Sequence, residues 1–190
     1  MKKGMIWLIG ILAVVVILVI AVVGSYNGLV SSQTAVETAQ ATIQTQLQRR
    51  ADLIPNFVNS VKGYSNYEQQ TLTAVTEARA KVGQATDAAQ QAAASEELNR
   101  AISVWVNAVT EAYPELKASA QFTALQDELA GTENRIATAR NDYNKAAQTY
   151  NTAIRKFPRN LIAGMFGFEK AAYFQADSDA DNVPEVSFDW

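Results

Sequence analysis

Asp177-x-Asp179-x-Asp181 sets three carboxylates at the alternate positions that open a calcium-binding loop. Such a loop needs glycine at its sixth position for the turn and a bidentate glutamate at its twelfth. Those places hold Asn182 and Phe188. The run therefore reads as a solvated acidic tail, and no metal is assigned to it. Glu96-Glu97 and Asp127-Glu128 are paired carboxylates of the kind that acid–base hydrolysis uses. Adjacent residues on a helix point in different directions, so neither pair forms a cleft, and a helix cap and a solvated face are the simpler readings. No cysteine or histidine occurs in the 190 residues, which removes thiol nucleophiles, Cys/His zinc sites and imidazole chemistry together. Neither a phosphate-cradling glycine loop nor a G-x-S-x-G elbow is present. No catalytic residue and no cofactor is assigned, and the chain is expected not to be an enzyme.

What remains are residues suited to contact. Arg50 lies nearly in phase with the apolar Leu47 and Ile54, so it either snorkels out of the core or pairs with a carboxylate, with Glu133 and Asp142 the candidates. Gly24 and Gly28 form a G-x-x-x-G that would let two helices approach closely. The segment from Phe157 to Phe174 combines aromatics (Phe157, Phe166, Phe168, Tyr173, Phe174) with basic residues at its start (Arg155, Lys156, Arg159). It is too short to span a bilayer but suits the headgroup boundary, with rings inserted and cations on phosphates. The competing reading is an apolar cap on the end of a helical domain.

The elements that must position these residues follow from hydropathy. Met5 to Val23 is entirely apolar or glycine, nineteen residues that at ~1.5 Å each nearly cross a ~30 Å hydrocarbon core. Val22-x-Gly24 would tolerate signal cleavage, but the run exceeds the usual signal core of roughly 7–15 residues, so an uncleaved anchor is expected. Lys2 and Lys3 precede it and the next basic residue is Arg49, which places the N-terminus in the cytoplasm and the rest outside.

Beyond the anchor, Val36, Ile43, Leu47, Ile54, Val58 and Val61 form one helical stripe interrupted by Pro55, where a kink or break is expected before Gly63 ends the helix. A second helix is expected from Asn66 to Ala89. A third starts at an N-cap on Ser95 and stops at Tyr113-Pro114. The fourth carries Phe122, Leu125, Leu129, Thr132, Ile136, Ala139, Tyr143, Ala146, Tyr150, Ala153 and Phe157 at alternating spacings of three and four, a heptad pattern. The expected fold is all-α: a single transmembrane helix continuing into a long antiparallel four-helix, coiled-coil-like bundle. The chain divides into an anchor (1–25), a bundle (26–157), an interface or cap segment (158–174) and an acidic tail (175–190). Summed rises and falls of the four helices return the end of the last one to the membrane surface. Apart from Lys2 and Lys3 the chain is acidic, with the excess in the tail, and it has no basic face for nucleic acid.

Several blocks together resemble the LemA family of bacterial membrane proteins. They include Tyr26-Asn27-x-Leu29-Val30 and Gln46-Leu47-x-Arg49-Arg50-Ala51-Asp52-Leu53-Ile54-Pro55-Asn56, the latter continuing to Val61-Lys62-Gly63-Tyr64. Glu77-Ala78-Arg79, Glu111-Ala112-Tyr113-Pro114-x-Leu116-Lys117-Ala118 and Glu133-Asn134-Arg135-Ile136-x-x-Ala139-Arg140-x-x-Tyr143-Asn144 follow. The last runs from Phe157-Pro158-x-Asn160 through Gly164-x-Phe166-Gly167-Phe168 to Tyr173-Phe174. Phe57 stands where leucine is usual. The resemblance implies an N-terminal anchor, a helical bundle, no established enzymatic activity, and association with membrane biogenesis or membrane proteases. The functional expectation is a self-assembling scaffold at a bacterial membrane, with a docking subunit for a membrane protease or other membrane enzyme as the alternative. The expected partners are the lipid bilayer, further copies of the chain and a membrane protein, and not nucleic acid.

Overall fold

The computed structural model describes residues 2–61, 69–117 and 119–174, and among these the only regular elements are helices. They are α1 (Lys2–Val61), α2 (Gln69–Gln84), α3 (Ala88–Ala112), the single turn α4 (Pro114–Lys117), α5 (Ala120–Ala153) and α6 (Arg159–Phe166). The expected stop at Gly63, the expected start at Asn66 and the acidic tail lie outside the described residues.

α1 is one uninterrupted helix of 60 residues. Its apolar part has a mean hydropathy of 3.4 over an eighteen-residue window, none of it buried against the rest of the chain, and it is long and apolar enough to cross a membrane. Gly24 and Gly28 do not interrupt the helix, and Pro55 does not end it. Past Gly28 the helix turns polar, and its hydroxyls fold back on its own carbonyls. Ser32 donates to Gly28 O at 2.9 Å, Thr38 to Thr34 O at 2.8 Å and Thr42 to Thr38 O at 3.0 Å.

The inward stripe of this polar part is Leu29, Val36, Ile43, Leu47, Arg50, Ile54 and Phe57, all buried. α5 runs antiparallel to it: Leu29 clusters with Ala153 at one end, and Phe57 packs on Phe122 at the other, ring centroids 4.9 Å apart. α2 also opposes α1, with Gln40 bonded to Thr86 O and Asp52 paired to Arg79 at 3.6 Å. α3 turns back beside α2 through Lys81–Glu97 at 2.6 Å and brings Trp105 onto Phe57 at 5.2 Å. The four helices share one buried cluster. Its large fully buried side chains, Phe57, Phe122, Ile43, Leu47, Leu98 and Ile136, each contribute about 1.5–3 kcal/mol of burial.

Three boundaries differ from expectation. α2 ends at Gln84 and not at Ala89, because the chain leaves the helix there and restarts at a cap on Asp87. Ser95 is not an N-cap: α3 begins two turns earlier, capped by Asp87, whose carboxylate accepts from Gln90 N at 2.8 Å, and Ser95 is fully buried inside the helix. A cap residue and a small polar core residue read alike in sequence, and burial decides between them. α5 ends at Ala153, so Phe157 falls outside the helix and stands 80% exposed.

After α6, Gly167 adopts φ +74°, a left-handed conformation that glycine supplies without strain. The chain reverses there and climbs along α5 without forming a helix. Two asparagines hold it. Asn151 donates to Ala171 O and accepts from Ala171 N, each at 2.9 Å, and Asn144 does the same to Phe174 O and N, each at 2.9 Å. Tyr143 adds a bond to Ala172 O at 2.8 Å. The geometry fits because seven helical residues and three extended residues both advance by about 10 Å. Alanine at Asn144 or Asn151 should each remove two partly buried bonds and cost about 1–3 kcal/mol. Hydrogen exchange should show the Ala171 and Phe174 amides losing protection while α5 keeps its own.

Burial raises the hydroxyl pKa of Tyr143, and burial with the nearby Glu169 and Glu37 charges raises that of Tyr150. Both stay neutral in the fold at a pH where free tyrosine ionises, near 10. Unfolding above that pH therefore releases protons, so this part of the stability is intact below pH ~10 and lost as pH rises through the folded values. Absorbance at 295 nm should show Tyr143 and Tyr150 ionising together with the loss of helicity, and this late step should vanish in a Y143F/Y150F variant.

Candidate functional site at the anchor end of the domain

α6 closes against α1 where the apolar run ends. Tyr26 meets Phe166 edge-on at 4.9 Å and Phe168 at 5.7 Å, while Ile162 and Ala163 bury against Leu29 and Ala153. The Arg159 guanidinium lies over Gly28, where an added Cβ would stand 3.1 Å from Nη2 and 3.5 Å from Cζ. Gly28 is thus small for an internal contact, with the Arg159 side chain seated against it. Gly24 has open space around it.

The aromatic segment divides into two sets. Phe174, expected at lipid, is buried: it packs edge-on against Tyr143 at 5.0 Å and under the Arg140 guanidinium at 5.7 Å. Tyr173 and Lys170, a cation and ring 6.0 Å apart, accompany it up the domain. Because Asn144 fixes Phe174 nine residues up α5 from Ala153, Tyr173 and Phe174 lie ~14 Å above the α5 end and not at the anchor exit. Phe168 is half-buried, packed inward on both clusters. The outward set is Phe157 and Phe166, joined by Leu161 and Met165, aliphatic residues of the same segment. Arg155 and Lys156 are exposed beside them, in the turn between α5 and α6. Leu161 and Met165 stand one turn apart on α6, which places both on one side of that helix.

Midway up the domain, Arg50 is buried on the α1 seam and forms an ion pair with Glu133 of α5. The same carboxylate accepts from Asn99 Nδ2 of α3 at 3.2 Å, so one group ties three helices. Burial, and then the charge of Arg140, lower the Arg50 pKa to about 10; Arg140 is itself lowered by burial, against which the Glu96 charge works. Asp142 is not a partner of Arg50. It points to solvent and pairs with Lys145 at 3.2 Å, since it lies off the seam that carries Ile136, Ala139 and Tyr143. At the surface Arg49 reaches Glu128 at 2.7 Å. Asn144 and Asn151 were missed as functional groups, although the repeated Tyr-Asn at a spacing of seven, Tyr143-Asn144 and Tyr150-Asn151, was their signal.

These contacts use the residues of the blocks read above, and residues 39–188 match the LemA family. The chain belongs to the LemA family. Among its relatives, Protein LemA of Metamycoplasma hominis is 29% identical over 155 residues, which cover 81% of this chain and 70% of that protein. Magnetosome protein MamQ 2 of Paramagnetospirillum magneticum is 26% identical, covering 85% and 68%, and Magnetosome protein MamQ of Magnetospirillum gryphiswaldense is 22% identical over the same shares. Within this LemA-family domain, the Arg50–Glu133 pair makes an asymmetric demand. E133L leaves a buried cation unmatched and should cost about 2–3 kcal/mol, less than the 3–5 of a fully enclosed pair because the Glu133 side chain is 39% exposed. R50M/E133L, apolar at both places, should recover most of that loss in thermal unfolding followed by circular dichroism.

Proposed function

We propose that the protein is a membrane-anchored, non-enzymatic scaffold. The apolar part of α1 spans the bilayer, and α1, α2, α3 and α5 form an antiparallel four-helix bundle on the extracytoplasmic side that assembles with further copies of itself. The observation that carries this reading is the continuity of α1, in which one unbroken helix supplies both the apolar run and a full edge of the core. A bundle on a flexible tether would be free to swivel. A bundle built on its own anchor holds a fixed height and direction, which is what a surface-organising protein needs. The side of the membrane follows from Lys2 and Lys3. Relatives named as magnetosome proteins support association with a membrane.

Two measurements test the reading. The full chain extracted in mild detergent should sediment as one large, homogeneous species; a monomer across micromolar concentrations would sink the scaffold and leave the docking-subunit reading. A cysteine placed at Ser103, exposed on α3 in a chain with no cysteine of its own, should react with a membrane-impermeant thiol reagent before lysis. Labelling only after lysis would reverse the orientation.

A further inference from the structure

We infer that α6 is a second membrane contact, an interfacial helix lying in the headgroup plane, whose ridge Leu161–Met165, with Phe157 in the turn ahead of it, enters the lipid while Arg155 and Lys156 hold anionic headgroups. The inference rests on the proposed span of α1.

Height is the first argument. Tyr26 follows the last apolar residue of the anchor run, Val23, by three residues, about 4.5 Å of helix. The polar zone on each side of a bilayer is about 5–7 Å deep, so Tyr26 stands within it. Phe166, in contact with Tyr26, stands there too.

Direction is the second. α6 has eight residues and is about 12 Å long. Its first residue, Arg159, touches α1 at Gly28, and its last, Phe166, touches α1 at Tyr26. Two residues of α1 rise only about 3 Å, so α6 crosses α1 and lies along the plane of the membrane.

The third is what the helix shows on its outer side. Ile162 and Ala163 are spent on the core, whereas Phe157 and Met165 are 80% exposed and Leu161 59%. Leu161 and Met165, four apart on α6, make one apolar ridge, with Phe157 exposed in the turn just ahead of it, and among the described residues few other large hydrophobics outside α1 are exposed. Arg155 and Lys156 sit at the head of the ridge, and among the described residues neither forms an ion pair. Cations at the rim of an apolar ridge, level with the end of a membrane span, complement a lipid surface of negative charge.

The native chain lacks cysteine, which allows single spin labels on the full-length protein. L161C and M165C would be labelled in bilayers of three parts phosphatidylcholine to one part phosphatidylglycerol, with V14C in the anchor and V104C on α3 as references. All four positions are exposed, and unchanged helicity confirms each variant's fold. Labels at Leu161 and Met165 should collide with oxygen several-fold more, relative to a water-soluble nickel complex, than the label at Val104. The double variant R155Q/K156Q should lower that ratio in the same bilayers, and an unchanged ratio would remove the headgroup part of the inference. A ratio at Leu161 and Met165 equal to that at Val104 would overturn the ridge, and low access to both reagents would replace lipid by a second protein surface. Val14 reports separately: a lipid signal there with a water signal on the ridge keeps the anchor and discards α6, whereas a water signal at Val14 discards the anchor itself.

Discussion

A helix that continues without a break from an apolar run into a packed core transmits its direction to everything that packs on it. In this protein the rest of the domain is fitted to that constraint. α5 is the counterpart of the polar part of α1, running from Phe122 beside Phe57 back to Ala153 beside Leu29. α2 and α3 form the shorter hairpin on the flank, with their caps and turns set so that Phe57, Trp105 and Phe122 meet at the far end. The cost of a long unsupported helix falls on the apolar run alone, which shares no buried surface with the domain. Elsewhere, helix propensity is secondary to the seam.

The seam is not uniformly apolar, and its polar places explain how the helices choose their register. Leucine and isoleucine repeats tolerate slippage by a heptad; an arginine that must meet one carboxylate does not. Arg50, Glu133 and Asn99 fix α1, α3 and α5 at a single level, and Gln91 and Ser95 extend the polar surface along the buried face of α3. The asparagines of α5 do something different. By bonding to backbone and not to side chains, they bind an extended segment with little regard to its sequence, and the spacing of seven against three does the selecting.

Much of this was legible in the amino-acid sequence, for reasons that can be assigned. The apolar run and the α5 stripe were plain because aromatic and aliphatic residues recur there at one period. The seam of α3 was only half legible: Leu98, Ile102, Trp105 and Val109 were visible, but Ala88 and Gln91, equally in phase and equally buried, carry no aliphatic signal, and Ser95 read as a cap. The fate of the C-terminal aromatics was not legible. Phe166 and Phe174 are identical side chains eight residues apart, and what separates them is the reversal at Gly167 together with a clamp whose donors lie on another helix. Local pattern carries no record of either. The Arg50 pairing was legible as a need for a carboxylate, and the choice of Glu133 over Asp142 required the rotation of α5 about its axis.

The clamp also fixes the height of the last described residue, Phe174. Asn144 holds Phe174 ~14 Å up α5 from Ala153, and Asp177, Asp179, Asp181, Glu185 and Asp189 all follow that point. At physiological ionic strength the field of a charged bilayer decays over about 8 Å. On the proposed membrane contact, the backbone at Phe174 stands beyond most of that potential, whereas Arg155 and Lys156, in the turn after α5, stand within it. On that arrangement a chain with an overall negative charge brings two cations to an anionic membrane, well below the point where its acidic sequence begins.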